Sequence, residues 1–341
     1  MKVIIWTSGM TARAGAKGVL NHPDLELVGM YAHSREKVGR DAGELIGVEP
    51  LGLAATDDVD ALLALGADCV LYAPFRPNID HVERILSAGI NIVSPMYKLA
   101  GAGYGEEAQL RIAAACEKGR ATLYSSGLYP GSVNLIALAA SGMMRRLDKV
   151  SVLESVDFSG YANEAMYRAM GMDLELDDPR AMAALEEACG SLKEVVRVMA
   201  KALGAKLDEV RFEGELAAAN RTTDFGFMTV QKGRIAGFKG VVSGIVDGVS
   251  RLECQFTWQL GEDMTPAFPL EKGYLIRLEG DPGAEVRVTP DKKSGAGDGG
   301  AAASAMGCIN AIPQVIAAPP GVLNHMELPF VKAFGRVGLP A

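Results

Sequence analysis

The sequence is poor in the residues that build metal sites, disulfide frameworks and nucleic-acid-binding surfaces. It has five cysteines, none in a C-x-x-C pair, and four histidines without the spacing of metal ligands. This usage argues against a zinc site and is typical of buried thiols in a reducing compartment. Positive charge is also in deficit. The formal net charge of -8 argues against nucleic acid or an anionic membrane as the main partner.

Long apolar runs are scarce as well. No run approaches the roughly 18 residues that span a bilayer, and the N-terminus enters a predicted strand too early for a signal peptide. What is present is a chain of 341 residues with 49% hydrophobic and 22% charged residues. We therefore expect a cytoplasmic protein of two domains, with no metal, membrane or nucleic acid as a partner.

The N-terminal stretch is the most informative part of the chain. Apolar residues from Val3 to Trp6 predict a buried strand, Gly9 a tight turn, and the small residues that follow a helix lying flat on a sheet. A second apolar strand, Leu25–His33, stands where a Rossmann crossover returns. The free amides at such a helix N-terminus suit a diphosphate. The alternative is a strand-to-helix turn that binds nothing. The residues predicted to bind the cofactor here are Thr7, Ser8, Gly9, Met10, Thr11 and Ala12.

Strands and helices alternate up to residue 126, which predicts a parallel sheet with helices on both faces. The carboxyl ends of parallel strands share one edge, so residues that follow the strands are further candidates for cofactor contact. These are Ala73, Pro74, Ser94 and Gly127.

The alternation of strands and helices ends at Gly127–Gly131. Consecutive strands after residue 209 predict an α+β second domain with a mixed or antiparallel sheet. One of these predicted strands is Phe225–Gln231. A helix, Ala301–Ala317, carries Pro313 and is expected to pack against the first domain, and the tail from Leu323 has little periodicity. The predicted domain bounds are 1–130, 131–297 and 298–341.

The segment after the second strand bears on the choice of cofactor. A base there accommodates a 2′-phosphate, whereas an acid accepts ribose hydroxyls. His33, Ser34, Arg35 and Lys37 favour NADP(H), and Glu36 leaves NAD(H) possible.

The chain resembles the dihydrodipicolinate reductase-like superfamily, nearest the branch of 2,4-diaminopentanoate dehydrogenases and native amine dehydrogenases. The resemblance rests on the turn Trp6–Arg13, the run Lys37–Gly43, the loop Gly127–Gly131, and two C-terminal motifs, Asn310–Pro313 and Ala317–Gly321. It implies a Rossmann domain, a substrate and dimerisation domain, and a C-terminal helix that returns to the Rossmann domain. It also implies hydride transfer between NAD(P)H and a carbonyl or imine carbon in the cleft between the domains of a homodimer.

The chain departs from its relatives at the residues that handle protons. It has no His-His pair, which argues against the reductase of lysine biosynthesis, whose motif is His-His-x-x-Lys. Where the amine dehydrogenases carry a glutamate after the fourth strand, this chain has Ser94-Pro95-Met96-Tyr97-Lys98. Our candidates for the proton donor are therefore Lys98 and Tyr97, with Glu106 and Glu107 as the nearest acids. The alternatives are a surface lysine, a core tyrosine and two acids that only stabilise a helix N-terminus.

A last group of residues is predicted to face the substrate or the nicotinamide. Asn310, beside Pro313, is a candidate for the carboxamide of the cofactor. For the candidates for substrate contact, the alternative is ordinary core packing, or, for Asp157, a hydrogen-bonded structural acid. The substrate candidates are Tyr129, Asp157, Tyr161, Tyr167 and Met170.

Together these features predict an NAD(P)H-dependent oxidoreductase that acts on a carbonyl or imine carbon of a small, mainly apolar molecule. The alternatives are an amine dehydrogenase, which reductively aminates ketones, and a non-catalytic NADP-binding regulatory protein.

Overall fold

The computed structural model describes residues 1–290 and 299–338, and these fall into two compact units. The first unit contains residues 1–132 and 299–338, and the second contains residues 133–290. The predicted boundary between residues 297 and 298 lies outside the described residues. Each unit has its own sheet. The strands, in chain order, are β1 (Lys2–Trp6), β2 (Glu26–Tyr31), β3 (Cys69–Tyr72), β4 (Asn91–Ser94), β5 (Thr122–Ser125), β6 (Arg146–Asp157), β7 (Glu209–Ala219), β8 (Thr223–Asp224), β9 (Thr229–Val230), β10 (Ile235–Val246), β11 (Val249–Gln259), β12 (Met264–Thr265), β13 (Gly273–Asp281), β14 (Ala284–Val288) and β15 (Gly321–Asn324).

Helices surround the first sheet and cover part of the second. In chain order they are α1 (Met10–Leu20), α2 (Ala42–Ile46), α3 (Val59–Leu63), α4 (Ile79–Ser87), α5 (Glu106–Gly119), α6 (Ser132–Ser141), α7 (Glu164–Met170), α8 (Ala181–Ala188), α9 (Gly190–Ala202), α10 (Gly299–Ile309) and α11 (Ile312–Ala317).

The sheet of the first unit has six parallel strands in the order β15-β5-β4-β3-β1-β2. One face forms a core with α1, α10 and α11, and the other forms a core with α3, α4 and α5. The two-sided burial explains why these strands are apolar runs rather than alternating sequences. The predicted Rossmann-type α/β arrangement is therefore confirmed.

Local chemistry sets the ends of several helices. Asn78 caps α4, because its side chain accepts bonds from the amides of Asp80 and His81. Asp58 caps α3, because its side chain accepts the bond from the Ala61 amide at 3.0 Å. The sequence itself favours a cap at Asp57 or Thr56, one or two residues earlier.

The C-terminal segment differs from the prediction in two ways. The single helix predicted over Ala301–Ala317 is two helices, α10 and α11. Pro313 lies in the first turn of α11, where its missing amide breaks no helical bond. The tail, predicted to be irregular from Leu323 onward, supplies strand β15, which pairs with β5. Gly299–Ala317 is long and apolar enough to cross a membrane by length and composition only, a test that core helices also pass. Its residues Cys308, Ile309, Ile312 and Val315 lie fully inside the core of the first unit.

The second unit contains a seven-stranded sheet in the order β12-β7-β10-β11-β6-β13-β14. Strands β11 and β6 run parallel, and the other neighbours run antiparallel. The predicted mixed sheet of an α+β domain is confirmed. The strand predicted at Phe225–Gln231 was wrong, because β8 and β9 form a hairpin of two residues each around Gly226, whose φ is +82°.

Candidate active site

The turn between β1 and α1 leaves a helix N-terminus open. Gly9 precedes α1 with φ of -69° and is exposed, and a Cβ added there would meet no atom within 4 Å. No side chain caps the helix and its first turn has no acid. The first amides of α1 are therefore free of a competing carboxylate, which is the arrangement that binds a diphosphate.

Thr7 anchors this turn to its neighbouring strands. Its amide donates to the Tyr31 carbonyl at 3.1 Å, and its Oγ1 donates to the Ala73 carbonyl at 3.2 Å. Its φ of +93° is rare for a β-branched residue. Because strain of this kind persists only where neighbours hold it, and concentrates at functional sites, Thr7 supports a site at this edge. Of the remaining turn residues, Ser8 and Ala12 are buried, while Met10 and Thr11 are half-buried.

The segment after β2 presents the predicted cations. His33 and Arg35 are exposed, and Ser34 and Lys37 are half-buried. The Ser34 carbonyl accepts bonds from the amides of Lys37 and Val38, which makes the segment a tight turn. Within the described ranges, neither Arg35 nor Lys37 forms an ion pair.

The run that follows this turn has a structural role. The carboxylate of Asp41 accepts bonds from the amides of Gly43, Leu51, Gly52 and Leu53, at 2.7 to 3.2 Å. These bonds, the one from Leu51 foremost, lower the pKa of Asp41. Asp41 thus folds residues 41–53 back on themselves, so the Lys37–Gly43 motif holds a loop in place.

Ser94 and Gly127 also fix the edge of the sheet. The Ser94 hydroxyl donates to the Tyr72 carbonyl at 2.7 Å and accepts from the Met96 amide at 3.1 Å. Gly127 accepts from the amide of Ser132, and a Cβ on Gly131 would lie 2.3 Å from the Gly127 carbonyl oxygen. Ala73 and Pro74 are half-buried. The predicted contacts Thr7, Ala73, Ser94 and Gly127 therefore lie along one edge, at strand ends.

Lys98 and Tyr97 lie in a 3₁₀ turn, Tyr97–Ala100, just after β4. Tyr97 is 5% exposed and its hydroxyl is buried. Lys98 is half-buried, and its stem passes over Gly103, where an added Cβ would lie 2.4 Å from the Lys98 Cβ. Gly103 therefore provides the room for the lysine stem, and Lys98 is the more accessible of the two.

Glu106 and Glu107 occupy the first turn of α5 and are exposed. The helix dipole stabilises acids at this position. They follow the same strand as Lys98 but belong to a separate element.

The turn between α10 and α11 brings Asn310 into the first unit. Its Oδ1 is buried and has no hydrogen-bond partner among the residues described. Nearby in sequence, Cys308 donates from Sγ to the Ser126 carbonyl at 3.1 Å, at the end of β5. Burial raises the pKa of the Cys308 thiol to about 12, so this cysteine is structural, as predicted. The other four cysteines are also buried, and none of the five forms a disulfide.

The substrate candidates divide into structural and accessible residues. Asp157 accepts from the amides of Ser159 and Gly261, at 2.9 and 3.1 Å, and so closes a turn. Tyr167 is fully buried and donates from its hydroxyl to the Tyr161 carbonyl at 2.6 Å. Met170 is buried too. Tyr161 in the second unit and Tyr129 in the first are half-buried.

Glu154 and His325 are buried titratable residues that the sequence analysis did not single out. Glu154, on β6, accepts from Trp258 Nε1 at 2.6 Å and from the Tyr274 hydroxyl. Burial raises the pKa of Glu154 to about 7 despite these bonds. The signal was available, because Glu154 follows Val150 and Val152 on the apolar positions of an alternating strand. His325 follows β15 and is 2% exposed. No sequence pattern indicated that His325 is buried, because the strand that precedes it, β15, was not predicted.

Comparison with known proteins extends these observations. The model of the 2,4-diaminopentanoate dehydrogenase C-terminal domain matches residues 132–337, more than half of the chain. The chain is 29% identical to an amine dehydrogenase of Streptomyces virginiae, over 99% of each protein. It is 26% identical to a 4-hydroxy-tetrahydrodipicolinate reductase of Neisseria gonorrhoeae, over 69% of this chain and 77% of the reductase.

The fold has solved counterparts. The structure of an amine dehydrogenase from Mycobacterium smegmatis superposes with a TM-score of 0.82 at 18% identity, over 97% of each chain. The chain therefore belongs to the family that carries the 2,4-diaminopentanoate dehydrogenase C-terminal domain, and it is a nicotinamide-dependent oxidoreductase of the dihydrodipicolinate reductase-like superfamily.

Proposed function

We propose that the protein is a cytoplasmic, homodimeric reductase that prefers NADP(H) and acts on a carbonyl or imine carbon of a small, mainly apolar substrate. In this proposal residues 1–130 bind the dinucleotide, residues 131–297 supply the substrate and dimer surfaces, and residues 298–341 return to the dinucleotide-binding domain.

One observation carries the proposal: α1 begins without a capping side chain or an acid, behind a glycine with open space around it. A diphosphate accepting bonds from the first amides of α1 would satisfy groups that the protein leaves open. The residues from Thr7 to Ala12 form this cradle. Ala73, Pro74, Ser94, Gly127 and Asn310 complete the proposed cofactor contacts along the same sheet edge.

The cations after β2 support the preference for NADP(H). Arg35 and His33 are exposed, and Arg35 can hold a 2′-phosphate through two parallel hydrogen bonds. Lys37 adds a second positive charge, and Ser34 adds a hydroxyl donor. Glu36, which is also exposed, would oppose a phosphate and accept ribose hydroxyls of NAD(H) instead.

Lys98 is the proposed proton donor. When bound, the reduced nicotinamide supplies the hydride. Lys98 holds a proton on Nζ and donates it to the substrate oxygen or nitrogen as negative charge develops there. Its stem is fixed over Gly103, which limits where the ammonium group reaches. Tyr97, whose hydroxyl is buried, supports the turn. Glu106 and Glu107 are the second choice, and the half-buried Tyr129 is proposed to lie nearest the substrate.

A second candidate is reductive amination of a ketone. Its support is the full-length relative named amine dehydrogenase, which aligns over 99% of both proteins. The absence of a glutamate between Ser94 and Lys98 favours the simpler carbonyl reaction.

The test has two stages. Calorimetry with NADP, NADPH, NAD and NADH should show binding. NADP and NADPH should bind at least about tenfold more tightly than NAD and NADH, a difference of roughly 1.4 kcal/mol in binding free energy. NADPH consumption is then followed over a ketone and aldehyde panel with and without ammonia. Turnover that requires ammonia would select the amine dehydrogenase reaction, and absence of heat with all four dinucleotides would refute both.

A further inference from the structure

His325 lies at the carboxyl end of β15 and is almost completely enclosed. The residue is 2% exposed, and both ring nitrogens are buried without a hydrogen-bond partner in the described part of the chain. A neutral imidazole carries one donor and one acceptor. Leaving such groups unsatisfied costs folding free energy, so a phenylalanine of similar shape would give a more stable protein.

The backbone around His325 is held firmly. Asn324 donates its amide to Glu327 Oε2 at 2.9 Å, and Asn324 Oδ1 accepts from the Met326 amide at 2.9 Å. Asn324 also pairs in register with Ser125 of β5. The enclosed imidazole is thus a fixed feature of the sheet edge along which the proposed cofactor contacts lie.

The neighbour of His325 is the turn that carries Lys98. The rings of His325 and Tyr97 lie 5.4 Å apart, between centroids, and are inclined by 57°. The 3₁₀ turn Tyr97–Ala100 also packs against β5 and β15. A hydrogen bond between the Tyr97 hydroxyl and an imidazole nitrogen would require one of these side chains to reorient, since the structure shows no such bond between them. Burial lowers the pKa of His325 to about 4, so at neutral pH the ring retains a nitrogen that accepts a hydrogen bond.

We propose that His325 is a positioning residue: in the cofactor-loaded enzyme its imidazole accepts a hydrogen bond from the Tyr97 hydroxyl, and this bond orients the turn that presents Lys98. The inference rests on the proposed role of Lys98 as proton donor. It gives a reason for a histidine at a position where an apolar ring would be more stable.

The test compares three variants with the wild type: H325F, Y97F and the double variant. H325F should raise the melting temperature by about 2–4 °C, as expected for roughly 1 kcal/mol in a domain of this size, yet lower kcat about tenfold. The KM for the cofactor should stay within about twofold, because the diphosphate cradle is untouched. Y97F should lower kcat similarly, and the double variant should be no slower than either single variant. H325Q, which restores a polar side chain, should recover part of the loss.

A spectroscopic measurement does not depend on turnover. In ¹⁵N-labelled protein, saturation with NADP should shift the imidazole nitrogen of His325, and the shift should vanish in Y97F. With four histidines in the chain, H325F assigns the signal. The proposal fails if H325F keeps the wild-type kcat, if the two single losses multiply in the double variant, or if the shift persists in Y97F. Absence of wild-type turnover together with a Tyr97-dependent shift would instead refute the carbonyl-reductase function alone.

Discussion

At the scale of single residues, the proposed reaction depends most on Lys98, the proposed proton donor. Methionine keeps the length and apolar character of its stem over Gly103 and removes the ammonium group. K98M should lower kcat at least about a hundredfold, the lower end for loss of a general acid, and leave the cofactor Kd within about twofold. Steady-state kinetics and calorimetry measure both. E106Q and E107Q are the controls. A loss of kcat in either control as large as that in K98M would assign the role of proton donor to that acid instead.

Arg35 determines cofactor choice in the same proposal. Because it is exposed and has no ion-pair partner in the described residues, reversing its charge should leave the fold intact. R35E should weaken NADP binding about ten- to a hundredfold, the range for losing a hydrogen-bonded charge of roughly 1.5–3 kcal/mol, and change NAD binding little. K118E, in the last turn of α5, is a charge-matched control. Equal losses for NADP and NAD in R35E would show that Arg35 does not read the 2′-phosphate.

Individual site residues were only partly readable from the sequence. The Gly9 turn was readable because a glycine between a buried strand and a helix of small residues is typical of a nucleotide-binding turn. The partners of Asp157 and Tyr167 were not, since they are an amide and a carbonyl that the fold brings near. His325 was hidden for the same reason. Its environment depends on β15 pairing with a strand about 200 residues earlier in the chain.

At the scale of elements, α1 combines two kinds of glycine. A Cβ on Gly9 would meet nothing, whereas a Cβ on Gly15 would lie 2.1 Å from Leu71 Cδ2, inside the core. G9A should therefore keep the stability of the apoprotein within about 0.5 kcal/mol but weaken cofactor binding, because the methyl group stands where the diphosphate approaches. G15A should destabilise by about 1–3 kcal/mol through overpacking. Thermal melts and NADP titrations separate the two effects, and wild-type affinity in G9A would place the nucleotide elsewhere.

Elements were predictable where one physical rule dominated. The buried strands of the first sheet and the long strands β10 and β11 follow directly from their runs of apolar residues. The short helix α2 was not predicted, since Asp41 and its four amide donors hold it in place rather than a periodic apolar face. The break between α10 and α11 was also missed. Pro313 is compatible with a kink or with a new first turn, and the sequence does not distinguish them.

At the scale of the whole molecule, the two units should respond to pH in opposite directions. His325 in the first unit has a lowered pKa, from 6.5 to about 4, so the unfolded chain binds the proton first. The first unit should keep its full stability above about pH 6.5 and lose about 3 kcal/mol as pH falls toward 4. Glu154 in the second unit has a raised pKa, from 4.5 to about 7. That unit should be most stable below about pH 4.5 and lose a similar amount as pH rises toward 7.

The two tryptophans of the chain make this prediction measurable. Trp6 lies in β1 of the first unit and Trp258 in β11 of the second. Denaturant melts of W6F and W258F, followed by the remaining tryptophan at pH 5 and pH 8, report on each unit in turn. E154Q should flatten the dependence of the second unit, and H325F that of the first. Parallel trends in both units would contradict the assignment of these two groups.

Strand β15 has a consequence for how the protein folds while it is being synthesised. The residues of the second unit are contiguous, whereas the first unit takes its last strand from Gly321–Asn324. When only residues 1–132 have been synthesised, the sheet of the first unit therefore lacks β15, and the edge of β5 has no partner strand on that side. That edge stays open to chaperones, or to a strand from another nascent chain, until Gly321–Asn324 have been synthesised and can pair with β5.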